Sequence, residues 1–302
     1  MKTQTLKTLV GTAAATVCLL GVTGQAANAM PVEPISDWDY AIDSFNDGYN
    51  LGTIGANSGY EFYGMAIKED TANNSILVAL NANMPLAGNS SSHANDDHIG
   101  WGDLMFNFSG DNLETANTNR NLFGIRFAPG TDSGVGMGVY SDVKAKSVTG
   151  ANSGFKHLKE HRNKVSNKGG TATMADLAQT DPYFAQKSRP LTSIKSGTKI
   201  GDVNILSDIS GLGIDFGQFG AIGNHTFGFS FDKSLLPVGD FVAHLFAECA
   251  NDGMAIEGEF QMAMNPDDPN TEVPEPTGTA ALALLGLSFV GDRLRKHRAM
   301  SA

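Results

Sequence analysis

The chain reads as a mainly β protein: an antiparallel β-sandwich of jelly-roll-like kind carrying a small helical insertion. Three observations lead there. Short segments alternate strictly, as in Thr226 to Phe231, where the phenylalanines at 227, 229 and 231 share one face and Thr226, Gly228 and Ser230 the other. Leu104, Phe106 and Phe108 repeat the device. Glycine, asparagine, aspartate and serine separate these segments, and the 35 glycines of the chain serve turns rather than a nucleotide-binding loop, since no fingerprint follows them. The 302 residues, 41% of them hydrophobic, suffice for one substantial core.

In chain order, strand character falls at 61–67, 76–80, 104–108, 122–127, 138–143, 201–206, 226–231 and 241–249. Asn251-Asp252-Gly253 makes a turn, and 255–264 returns as the partner of the preceding strand. The stretch 144–199 breaks the pattern, with 11 basic against 3 acidic side chains. Within this insertion, Asn152 or Ser153 is placed to cap a helix with Phe155, Leu158 and Val165 as its apolar stripe. Thr173 is placed to cap a second, with Met174, Leu177 and Ala178 inward, ending before Pro182.

Both ends carry address signals. Lys2 and Lys7 precede an apolar stretch from Leu9 to Val22, and Ala27-Asn28-Ala29 is a small-x-small cleavage site, so 1–29 is expected to be an export signal. The body then covers 30–264, and an acidic, proline-rich linker covers 265–276. The C-terminal segment 277–302 opens after Val273-Pro274-Glu275-Pro276, whose prolines hold Glu275 in extended geometry. The 15-residue apolar run from Thr277 to Gly291 reaches roughly 22 Å as a helix, against a hydrocarbon core of about 30 Å. It is suited to transient membrane insertion, with Arg293, Arg295, Lys296 and Arg298 holding the tail on the cytoplasmic side.

Val273-Pro-Glu-Pro276, the apolar run and the basic tail together resemble a PEP-CTERM signal, the substrate of the bacterial membrane protease exosortase. Within the body, Tyr60-Glu-Phe-Tyr-Gly-Met-Ala66, Gly100-Trp-Gly-Asp-Leu104 and His244-Leu-Phe-Ala-Glu-Cys-Ala-Asn-Asp252 are similar to segments of cyanobacterial exosortase-dependent surface proteins of the XDD type, where glycine is usual at the place of Ala250. The resemblance implies exosortase and the secretion machinery as partners. It also implies a cell-surface or extracellular address after processing, and a body without an assigned activity.

Composition narrows the partners. The net charge of −11 disfavours nucleic acid, while the basic insertion is suited to an anionic exopolysaccharide or to the acidic body itself, beside its ordinary reading as a solvated face. After removal of 1–29 only Cys249 remains, so no intrachain disulfide is expected.

Four constellations invite a chemical reading. His157-Leu-Lys-Glu160-His161 matches the inverted zinc-protease motif, but Lys156, Lys159, Arg162 and Lys164 surround it and oppose a dication. His244 and Cys249 look like a nucleophile pair, yet on a strand an odd separation sends them to opposite faces. The acidic segments supply candidate calcium ligands in Asp37, Asp39 and Asp43 (with Asp47 nearby) and in Asp96 and Asp97 (with Asp103). Trp38 and Trp101, with Tyr40, Tyr49 and Tyr63, are the candidates for stacking on a sugar. The leading expectation is a surface or extracellular-matrix protein without catalytic activity, the alternative a carbohydrate-binding module that uses calcium.

Overall fold

Alternating side chains build the strands and glycine-rich turns reverse them. The computed structural model describes residues 37–184 and 186–261. In chain order the described strands are β1 (Asp39–Ile42), β2 (Phe62–Asp70), β3 (Ser75–Ala82), β4 (Asn89–Ser90), β5 (His98–Ile99), β6 (Leu104–Asn107) and β7 (Leu122–Arg126). They continue with β8 (Gly138–Lys146), β9 (Ser193–Gly201), β10 (Asn204–Leu206), β11 (His225–Asp232), β12 (Gly239–Phe246) and β13 (Gly253–Phe260). Two α-helices, α1 (Leu113–Asn119) and α2 (Leu158–Ser166), lie between strands of the second sheet.

One sheet has the order β1-β2-β3-β11-β10 and the other β13-β12-β6-β7-β8-β9, with β4-β5 a small separate pair. Every strand pairing in the two large sheets is antiparallel. Consecutive strands pair as hairpins, and two non-local pairings tie the chain together. His225 to Asp232 runs against Ala82 to Ser75, and Val242 to His244 against Asn107 to Met105. The sandwich expected from the alternation is therefore the fold, and the strand order adds that the chain crosses between sheets three times.

The main core lies between the sheets. Phe229 and Phe231 of β11 enter it, with Phe227 packed against its margin, and Leu104 and Phe106 meet them from β6. Phe62 stacks on Trp101 with centroids 4.4 Å apart, and Phe127 stacks on Phe229 at 4.5 Å. The alternate residues of the second sheet (Met105, Tyr140, Ile194, Phe246) face outward under α1 and the insertion, which contribute Leu113, Leu158, Met174, Leu177, Tyr183 and Phe184. Tyr63, Ala66 and Ala79 on the outer face of the first sheet lie beneath Phe216 and Ala221.

Four expectations are corrected. The strand read over 201–206 is two: β9 ends at Gly201 and β10 joins the other sheet, with Lys199 and Asp202 paired at 2.7 Å at the corner between them. The basic stretch 144–199 is not all insertion, because β9 and the end of β8 are sheet strands, leaving 147–192 as the excursion. In it, α2 starts at Leu158 with His157 as its N-cap, because residues 150–155 are taken up in turns that bond Gly154 N–H to the Thr149 carbonyl and Phe155 N–H to that of Cys249. No helix follows Thr173. Met174 and Leu177 close a tight turn by mutual backbone bonds, and the Met174 carbonyl accepts from Ala255 N–H of β13. The short polar β1 and α1 (opened by an Asn112 side-chain cap) were not anticipated.

The predicted facing of the last hairpin holds. Ala243, Leu245, Ala247 and Cys249 point into the core between the sheets, while Val242 and Phe246 pack on the outer side. His244 meets the Tyr183 hydroxyl at 2.9 Å on that outer side, so it forms no dyad with Cys249, whose thiol burial pushes up to about 12. Ala250 has φ of 52°, a left-handed turn conformation that glycine adopts at less cost.

The readings of 1–29, of the linker beyond Gln261, of Val273 to Pro276, of the apolar run and of Arg293, Arg295, Lys296 and Arg298 lie outside the described residues. Among the described residues no helix is long and apolar enough to cross a membrane.

Trp101 is 0% exposed. In a Trp38→Phe chain, which retains Trp101 alone of the two tryptophans, fluorescence should be blue-shifted and resistant to acrylamide. Trp101→Ala should cost about 3–5 kcal/mol in denaturant unfolding.

Candidate metal centre

Where the N-terminal segment meets the last hairpin, four carboxylates are buried together. Asp43 follows β1, and its N–H extends the ladder by donating to the Tyr63 carbonyl at 3.1 Å. The next turn brings Asp47 back onto the start of β2. Gly48 permits this approach, since a methyl group there would overlap the Glu61 backbone. Glu61 stands just before β2, and Asp252 sits in the turn between β12 and β13. Asp43 is 5% exposed, Asp47 and Glu61 0%, and Asp252 1%.

At least one oxygen of each is held by a donor of the fold. Asp43 Oδ1 accepts from the Thr173 hydroxyl and from Ala175 N–H at 2.9 Å. Asp47 Oδ2 accepts from Thr173 N–H at 2.7 Å, and Glu61 Oε2 from Gly48 N–H at 2.8 Å. Asp252 Oδ2 accepts from Phe62 N–H at 2.7 Å and its Oδ1 from Gly253 N–H at 2.8 Å. Thr173 thus orients two carboxylates where the sequence pattern had made it a helix cap. The remaining oxygens, Asp43 Oδ2, Asp47 Oδ1 and Glu61 Oε1, are buried without a hydrogen-bond partner.

No basic side chain offsets these acids. The ion pairs among the described residues are Lys68–Asp37, Lys199–Asp202 and Lys233–Glu69, none of which touches the cluster. His161 is adjacent but already occupied. Its Nε2 faces the Asp47 and Asn251 carbonyls at 2.9 and 3.0 Å and must carry the proton, while Nδ1 accepts from Gln179 Nε2 at 2.9 Å. Burial lowers its pKa and keeps the ring neutral. The imidazole therefore works as a clamp that holds the backbone beside Asp47 and beside Asp252.

Buried negative charge without a counterion shifts the carboxyls upward. Burial raises Asp43 to about 6 against the opposing Thr173 hydrogen bond, and raises Glu61 to about 8 against that of Gly48. Asp47 is raised by burial and then by the charge of Asp43. Asp252 is raised well above the ordinary range by burial and then by Asp47. Two other buried acids serve as latches, Glu248 with both oxygens engaged and Asp103 with one, its Oδ1 lacking a partner. Both oxygens of Glu248 accept backbone N–H groups, from Asp132 and Gly100, and Asp103 Oδ2 accepts from Ile194 N–H at 2.6 Å.

Of the calcium ligands read from sequence, Asp43 and the neighbouring Asp47 belong to this group. Asp37 is exposed and paired with Lys68 at 2.8 Å. Asp39 lies in β1, where burial raises its carboxyl, apart from the cluster. Asp96 and Asp97 are exposed turn residues, the former accepting from His98 N–H. Glu61 and Asp252 escaped notice because 190 and more residues separate Asp252 from its neighbours here, and Asn251-Asp-Gly253 reads first as a turn. The inverted zinc-protease motif is dismantled, since His157 Nδ1 accepts from Glu160 N–H at 3.1 Å as a helix cap and His161 has no nitrogen free.

The five sugar-stacking candidates do not form one exposed platform. Trp101 is wholly buried and Tyr63 is 3% exposed, which removes both from any platform. Trp38 donates its ring N–H to the Leu212 carbonyl at 2.7 Å, and the Tyr40 ring packs on Phe216 and Phe219.

The cluster makes metal-free stability depend on pH in a definite direction. A carboxyl with a raised folded pKa binds its proton more tightly in the folded chain, so stability falls as pH rises from the unfolded value through the raised one. In chelator, the melting temperature should decline from about pH 4 to about pH 8, the span set by Asp43 and Glu61. Asp47→Asn should raise the melting temperature at pH 8 and flatten the decline, as followed by circular dichroism.

Compared with protein-family models, with curated proteins and with solved structures, the chain matches none.

Proposed function

We propose that this chain is an exported, exosortase-processed cell-surface or extracellular-matrix protein whose sandwich body is a structural or binding module without catalytic activity. The observation that carries the reading is the order of Val273-Pro-Glu-Pro276, a 15-residue apolar run and the basic tail, opposite an export-type N-terminus. The body's geometry is compatible with a display role. Its conspicuous histidines and its cysteine are spent on packing and clamping: His161 on two carbonyls, His244 on Tyr183, Cys249 in the core.

A second reading, carbohydrate binding, is favoured by one feature. A cleft of about 200 Å³ is lined by Tyr49, Tyr60, His93, Asn152, Phe155 and Asn251. Aromatic faces beside amides are the usual chemistry of sugar recognition. The cleft adjoins the carboxylate cluster, since Tyr49 N–H donates to the Asn251 carbonyl at 2.9 Å and Asp252 is the next residue.

Localisation of the tagged chain in wild-type and exosortase-deleted cells tests the first reading. Retention in the membrane only in the deletion is expected, and equal release from both strains would sink it. On a glycan array the body should show no hits under the first reading, whereas hits abolished by Tyr49→Ala would establish the second.

A further inference from the structure

We infer that Asp43, Asp47, Glu61 and Asp252 form a binding site for a calcium-class divalent cation that staples the start of the sandwich to its last hairpin. Two independent observations support it. Ligand oxygens of Asp43, Asp47 and Asp252 all lie within 4.8 Å of one another. Two oxygens each about 2.4 Å from a shared calcium stand no more than about 4.8 Å apart, so the three suit a common ion. Separately, Asp43 Oδ2, Asp47 Oδ1 and Glu61 Oε1 have no hydrogen-bond partner although their residues are at most 5% exposed. Buried carboxylate oxygens are rarely left without a donor, so three such oxygens on Asp43, Asp47 and Glu61, which sense one another's charge, call for a positive charge.

The donor set selects the ion. Every available ligand is an oxygen, which suits a hard cation. The nearest imidazole has both nitrogens engaged, and the Cys249 thiol belongs to the core between the sheets, so zinc finds no soft ligand. The oxygens come from three separate stretches of chain and are fixed by Thr173, Gly48 and Phe62 rather than arrayed around an octahedron. Irregular, multi-carboxylate geometry favours calcium over magnesium, which keeps its own waters and needs stricter angles.

The connectivity gives the ion its role. It bridges the turn after β1, the residue before β2 and the β12–β13 turn, and Thr173 and His161 attach the insertion to the same spot. Without disulfide cross-links among the described residues, where Cys249 is free, such a bridge replaces a covalent one. The site is independent of how the chain is sorted, so its test can fail without touching the localisation reading.

The test is thermal unfolding of the chelator-stripped full chain at pH 7.5 with calcium chloride alone, and with magnesium chloride for comparison. Millimolar calcium should raise the melting temperature by roughly 5 °C or more, and magnesium by distinctly less. The response should vanish in Asp47→Asn/Asp252→Asn and persist in Asp96→Asn/Asp97→Asn. A wild-type melting temperature unmoved by calcium, or a response retained by Asp47→Asn/Asp252→Asn, overturns the site. Should that double variant not fold, calcium-displaceable terbium luminescence lost in Glu61→Gln takes its place, and its persistence there is equally fatal.

Discussion

The sandwich depends on the burial of alternating aromatic faces between two antiparallel sheets, because no disulfide joins its described residues. Phe62 on Trp101 and Phe127 on Phe229 make stacked pairs across the interior, and Phe106 meets Phe241 edge-on at 5.2 Å. Each ring removed from water contributes a few kcal/mol, and face-offset and edge contacts add a smaller directional term. Since every second residue of β6, β11 and β12 feeds this interior, a one-residue slip in any of them would turn its core side chains outward. The pairing of distant strands, β3 with β11 and β6 with β12, follows from that registration.

Once the interior is set, the outer faces need cover, and the two sheets are covered differently. The second sheet receives α1 and the insertion, through Leu158, Met174, Leu177, Tyr183 and Phe184. The first receives the loop segment carrying Phe216 and Ala221. The insertion's positive charge therefore coexists with an apolar underside: α2 turns Leu158, His161 and Val165 inward and leaves its lysines to solvent. His161 is the polar exception in that stripe: its Nε2 ties α2 to the backbone beside Asp47 and beside Asp252, while its Nδ1 accepts from Gln179.

The cluster runs against the logic that stabilises the rest. Burying four carboxylates without a base is costly unless protons or a cation neutralise them. Each is nonetheless gripped by backbone N–H groups or by Thr173, which stabilises the group's position whatever its charge. Such positioning of like charges is a sign of a site rather than of packing. The aromatic cleft beside it shares Asn251 with the clamp.

Much of the fold was legible because alternation is a local property. The segments around Phe62, Phe106, Phe229 and Leu245 announce strand and facing within a few residues, and the opposition of His244 and Cys249 followed from parity alone. Thr173 was misread as a helix cap because its partners, Asp43 and Asp47, lie about 130 residues upstream. Trp101 was placed on a surface because sequence does not tell an interior tryptophan from an exposed one. The chain by itself determined most of the long strands, their inward faces and several turns, all of which rest on neighbours in sequence. Only the tertiary structure decided which acids share a site. Asp43 and Asp252 are brought together by β-sheet closure, and the repulsion and shared desolvation that define the cluster exist only at that distance.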